Sequence, residues 1–160
     1  MELYLFRHGI ADDRSLGRPD SSRQLTDEGR KKTASVAKMA RRAGVNPSLI
    51  ISSPYDRAVQ TAEAAAQEFG YKNEILQTRT LVPEGSPQAV WNEIRNHSGE
   101  PAILLAGHEP LLSQLAAYLL STPSLQVEMK KSALVRIDVD GMRAAPQGVL
   151  RWMIVPALAG

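Results

Sequence analysis

Three short strand-like runs in this chain end in polar punctuation of one kind, and segments of helical period lie between them. Glu2-Leu3-Tyr4-Leu5-Phe6 stops at Arg7-His8-Gly9, Ser48-Leu49-Ile50-Ile51-Ser52 stops at Ser53-Pro54, and Ala102-Ile103-Leu104-Leu105-Ala106 stops at Gly107-His108-Glu109-Pro110. The last run is apolar at every position, as a strand covered on both faces should be. This alternation predicts a three-layer α/β/α domain with a central, mostly parallel sheet. In open sheets of that class, ligands bind beyond the carboxyl ends of the strands.

The connecting segments carry their own start and stop signals. Leu25-Thr26-Asp27-Glu28 reads as a helix start, with Thr26 as N-cap and two carboxylates where the helix dipole favours negative charge. Ala34, Ala37, Ala40 and Ala43, flanked by Val36 and Met39, form the expected small-residue face, and Arg41, Arg42 and Gly44 supply the stop. Pro54 opens a helix from Tyr55 to Phe69 that carries Arg57 in its first turn, aimed at the same sheet edge as Arg7. Ser86 caps a helix over 87–96, and residues 111–120 are apolar nearly all round. A short strand is expected at 74–76, and two more at 133–139 and 149–155; the last two form a hairpin, so the sheet is mixed. Residues 10–25 are turn-forming and read as a surface loop beside the first strand's end, and His97 reads as an exposed loop histidine.

Composition removes several function classes. A chain of 160 residues fits one domain, here 1–160. The formal charge of +2, with no basic cluster beyond Lys31-Lys32, Arg41-Arg42 and Lys130-Lys131, does not point to a nucleic-acid partner. Absence of cysteine excludes disulfides, thiolate catalysis and cysteine-ligated metals. No run is long enough for a membrane span and no secretory signal is visible, so the expectation is a cytoplasmic protein without membrane contact.

Parallel strands would bring Arg7, His8, Arg57 and His108 into one crevice. Arginine offers a planar fork of donors suited to phosphate oxygens, and histidine is a nucleophile or proton carrier near neutral pH. Each piece alone has a plainer reading, since Arg-His can sit at any strand end. Ser53 and Ser132 can contact a phosphate or serve as caps. Asp12 and Asp13 fit a solvated loop or a cleft wall, and Trp91 and Trp152 fit core or subunit-contact positions.

Together these motifs resemble the histidine phosphatase superfamily, the phosphoglycerate-mutase-like group, marked by Arg7-His8-Gly9 after the first strand. The likeness extends to Leu25-Thr26-Asp27-Glu28-Gly29-Arg30, to the run from Ser52 to Ala62 and to Gly107-His108-Glu109-Pro110. The short length and Arg7-His8-Gly9-Ile10-Ala11 are most similar to the SixA branch of phosphohistidine phosphatases. The resemblance implies that His8 is a nucleophile forming a phosphohistidine intermediate while Arg7, Arg57 and His108 hold the phosphoryl group, with no metal and no cofactor. It implies a phosphohistidine-containing signalling protein as partner; the alternatives are a phosphatase of small phosphate esters or a non-catalytic phosphohistidine-binding module. Glu84 occupies a place in the chain comparable to that of the general acid in larger members, and surface carboxylate is its plainer reading. Glu109, beside His108, fits better as support for a helix N-terminus.

Overall fold

A computed structural model describes residues 1–15 and 17–160. Strand β1 (Glu2–Arg7) runs through its centre, and its alternation sorts the core into two halves. Leu3 and Leu5 lie in one cluster with Ile51, Ile103, Leu105, Trp91 and Leu112, whereas Tyr4 and Phe6 lie in the other with Val36, Ala37, Ile50, Ala62 and Leu104. Successive residues of a strand point to opposite faces, so a run that is apolar throughout needs helices on both.

These helices are α1 (Asp27–Arg42) and α2 (Asp56–Phe69) on one face, and α3 (Pro87–Arg95) and α4 (Leu111–Leu119) on the other. The remaining strands are β2 (Leu49–Ser52), β3 (Leu76–Gln77), β4 (Ala102–Gly107), β5 (Leu134–Val139) and β6 (Gly148–Ile154). The sheet order is β3-β2-β4-β1-β5-β6. β1 pairs parallel with β4 and β4 with β2, while β5 and β6 are the antiparallel hairpin, so the sheet is mixed as expected. Register fixes the site: Arg7 lies opposite Gly107, and Ser52 opposite Ala106, so the three punctuated strand ends share one edge.

The helix signals act as read. Thr26 accepts a hydrogen bond from the Gly29 N–H at 3.0 Å, and Ser86 one from Ala89 at 3.2 Å. The inner face of α1 differs, being Thr33, Val36, Ala37 and Ala40, with Ala43 exposed and Met39 40% exposed. A spacing of three falls about 60° short of a full turn at each step, so the alanine series spirals off the buried side. Helix α2 starts at Asp56, two residues after Pro54. His97 is half-buried in the turn after α3 rather than exposed. Two 3-10 turns, Asp20–Ser22 and Arg79–Leu81, and a last short helix, α5 (Pro156–Ala159), carry no strong signal in the sequence.

Candidate active site

Leaving β1, the chain stays on the sheet edge: the Arg7 N–H donates to the Ala133 carbonyl and the His8 N–H to that of Gly107, both at 3.0 Å. Gly9 is then wedged between elements. A Cβ there would lie 2.7 Å from Thr33 Oγ1 and 3.0 Å from both the Gly29 carbonyl and Ser132 Oγ, so glycine is required by protein neighbours. Its N–H donates to Thr61 Oγ1 at 3.2 Å, tying the loop to α2. Ser132, held at φ 61°, donates its N–H to the His8 carbonyl at 3.2 Å.

The structure brings four of the five expected residues together. The His8 Nδ1–H donates to the Gly9 carbonyl at 2.7 Å, which leaves the lone pair on Nε2, where Arg57 Nε–H donates at 3.3 Å. The rings of His8 and His108 are 5.1 Å apart between centroids. His108 Nε2 is 2.8 Å from Ser53 Oγ, the Tyr55 ring stands edge-on to His108 at 5.1 Å, and the Arg57 guanidinium lies 5.2 Å from the Tyr55 centroid. Arg7 donates through Nη1 to the Met129 carbonyl at 2.7 Å. Ser53 therefore contacts the second imidazole; it also accepts from the Tyr55 N–H, and Ser132 bonds Thr33.

Glu84 makes no polar contact with that group among the described residues. It is exposed on the turn closed by the Gly85 N–H and Val82 carbonyl, and forms no side-chain hydrogen bond or ion pair among the described residues. Glu109 serves α4, its carboxylate accepting from the Ser113 N–H at 2.7 Å. Asp20 was legible only as one turn-former among several, and it lies on Arg57 with an Nη2–Oδ2 distance of 3.1 Å. Thr61, readable only as an inner-face residue of α2, both accepts from Gly9 and donates to the Arg57 carbonyl at 2.8 Å.

Electrostatics follow from burial among cations. Burial lowers the His8 pKa to about 3; the Gly9 hydrogen bond works against this, and the charges of Arg57, Arg7 and Lys131 add to it. Burial likewise lowers that of His108 to about 2, helped by His8 and Arg57 and opposed by Asp20. Both imidazoles are neutral across the physiological range. Two buried side-chain polar atoms lack a partner among the described residues, Arg7 Nε and His108 Nδ1, and both belong to this cluster. Two guanidiniums and two neutral imidazoles make a site that suits a multiply charged, oxygen-rich anion.

The model of the histidine phosphatase superfamily (branch 1) matches residues 3–81. An uncharacterised protein of Picosynechococcus is 37% identical over 139 residues, covering 84% of this chain and 83% of its own. The chain belongs to the histidine phosphatase superfamily. Within it, the likeness is to the SixA branch. The protein histidine phosphatase SixA solved with tungstate superposes with a TM-score of 0.86 at 25% identity, covering 98% of each chain. A candidate phosphohistidine phosphatase SixA of Agrobacterium tumefaciens superposes at 0.82 and 22% identity over 97% of each. Family and neighbours define a phosphatase with the phosphoglycerate-mutase-like α/β fold.

Proposed function

We propose that this protein removes phosphoryl groups from phosphohistidine on a protein partner, through a covalent intermediate on His8. The observation that carries the reading is the His8 ring, with Nδ1 committed to the Gly9 carbonyl and Nε2 presenting its lone pair beside Arg57. In the first step Nε2 attacks phosphorus, the P–N bond to the substrate imidazole breaks, and that nitrogen takes a proton from solvent. Water then attacks the phosphoryl group on His8; the new P–N bond breaks with its electron pair returning to Nε2, and inorganic phosphate leaves. Donor and intermediate hold the same kind of bond, so the exchange between them is nearly balanced.

Arg7, Arg57 and His108 hold the phosphoryl oxygens in this scheme. A phosphoryl dianion repels an incoming lone pair unless fixed donors take up its charge, and the Arg7 Nε–H, buried and without a partner among the described residues, supports that role. An imidazole leaving group accepts a proton near neutral pH, so the scheme gives Glu84 no step. A protein substrate is favoured by the surface beside the site. A groove of about 500 Å³ starts at Arg7, with Lys32, Lys130 and Lys131 as its charged members and Ile10, Val155 and Pro156 as its apolar side.

The test is turnover of a phosphorylated histidine phosphotransfer domain beside phosphoramidate and an aryl phosphate. The phosphodomain is expected to be the best substrate by kcat/KM, and mass spectrometry at alkaline pH to place the trapped phosphate on His8. His8→Ala is expected to lower kcat by at least about 10³-fold. Label on another residue, or release that survives this substitution, would refute the mechanism; preference for the aryl ester would move the reading to small-ester phosphatases.

A further inference from the structure

Asp20, at the start of the 3-10 turn Asp20–Ser22, meets Arg57 twice: its carbonyl accepts from Nη1 at 2.8 Å and its carboxylate from Nη2 at 3.1 Å. The other carboxylate oxygen accepts from Arg23 Nη1 at 3.0 Å, and Arg23 is itself fixed by Nε–H to the Asp12 carbonyl at 2.7 Å. Arg14 Nε is 3.4 Å away but its side chain is 78% exposed, so it adds little. Burial alone would raise the Asp20 pKa; the hydrogen bonds of Arg23 and Arg57 and the Arg57 charge outweigh it and hold the carboxyl below its ordinary range. A charged carboxylate thus sits on the far side of the guanidinium whose Nε–H faces His8.

A guanidinium is planar and turns as a unit, so fixing both Nη atoms fixes where Nε–H points. We propose that Asp20 is a positioning residue, which holds Arg57 so that its Nε edge faces the reacting phosphoryl group; the inference rests on the phosphatase reading above. Two effects of opposite sign follow. As an anion near the site, Asp20 repels bound phosphate, whereas as the anchor of Arg57 it keeps a donor aligned for transfer. Removing it should slow turnover without weakening, or while tightening, the binding of the ground-state anion. A residue that only held its loop in place would move both in the same unfavourable direction.

The experiment compares wild type, Asp20→Ala and the isosteric Asp20→Asn in the full chain, by phosphoramidate kinetics, by calorimetric titration with inorganic phosphate and by the ¹⁵Nε–¹Hε NMR signal of Arg57. For Asp20→Ala, kcat is expected to fall about 10- to 100-fold, the loss typical of a misplaced catalytic group, with the phosphate Kd unchanged or lower and the Arg57 signal broadened or shifted. Asp20→Asn keeps one oxygen but turns an amide N–H₂ towards one arginine, so an intermediate loss is expected; it also keeps the test open should the alanine variant not fold. An unaltered kcat with an unaltered Arg57 signal overturns the proposal, as does a parallel loss of kcat and phosphate affinity. A wild type that binds phosphate but cleaves no P–N bond counts against the phosphatase reading instead, and the Arg57 signal then decides the role of Asp20 alone.

Discussion

At the scale of single residues, the site works by keeping its imidazoles uncharged. His8 has an ordinary pKa of 6.5 and a folded value of about 3, so between those values the unfolded chain takes up a proton that the folded chain refuses. Stability is therefore expected to be undiminished by His8 above about pH 6.5 and to fall as the pH drops from there towards 3, by up to about 1.4 kcal/mol per pH unit from this group. Carboxylates contribute to acid unfolding as well, so the check is a difference: urea unfolding of His8→Asn beside wild type from pH 6.5 to 4.5 should show a shallower decline for the variant. Equal slopes would mean that His8 carries its proton in the folded protein. His8 and His108 were legible in the sequence because each ends a strand, and strand ends in a parallel sheet have a fixed destination. Asp20 and Thr61 were not, because their partners Arg57 and Gly9 lie 37 and 52 residues away and their own surroundings read only as a turn and a helix face.

At the scale of elements, the site depends on how closely the segment after β1 can lie on α1. Gly29, in the first turn of α1, faces the Ile10 carbonyl, and a Cβ built there would stand 2.1 Å from that oxygen. Both partners are backbone, so neither can swing aside; Thr26 N–H also donates to the same carbonyl at 2.9 Å and holds it in place. Alanine in a helix gains roughly 0.5–1 kcal/mol over glycine through conformational entropy, whereas overpacking costs about 1–3 kcal/mol, so the clash is expected to win. Gly29→Ala should lower the denaturation midpoint and also reduce phosphoramidate kcat, since relief of the clash displaces the Gly9–Ile10 segment and with it His8. A stabilised variant with full activity would show that α1 and this segment slide freely. The sequence announced the helix start through Thr26 and its carboxylates but did not reveal the reason for Gly29. Its neighbour in space is a backbone carbonyl, which leaves no trace in residue type. The short turns at Asp20–Ser22 and Arg79–Leu81 escaped for a related reason, since three residues carry no period.

At the scale of the whole molecule, a nearly balanced net charge hides a local surplus of positive charge beside the site. Lys131 lowers the His8 pKa through space, which places its field within reach of the reacting group. Lys130 and Glu128 are 2.7 Å apart with side chains 63% and 78% exposed, and Lys32 pairs with Glu28 at 2.9 Å. Exposed pairs of this kind contribute at most about 1 kcal/mol and open readily, so the lysines remain available to an incoming surface. A partner with carboxylates around its phosphohistidine would be steered by them, and steering acts on association rather than on the chemical step. Lys130→Glu with Lys131→Glu is therefore expected to reduce kcat/KM for a phosphorylated histidine domain by about tenfold at low salt, chiefly through KM, and the deficit should shrink as ionic strength passes roughly 0.15 M, where the screening length falls to about 8 Å. With phosphoramidate, which is too small to touch the groove and the site together, the same double variant should lose little of its kcat. A deficit equal for both substrates would assign the lysines to the chemistry of the pocket, and one that ignores salt would remove charge from the account of how the partner is chosen.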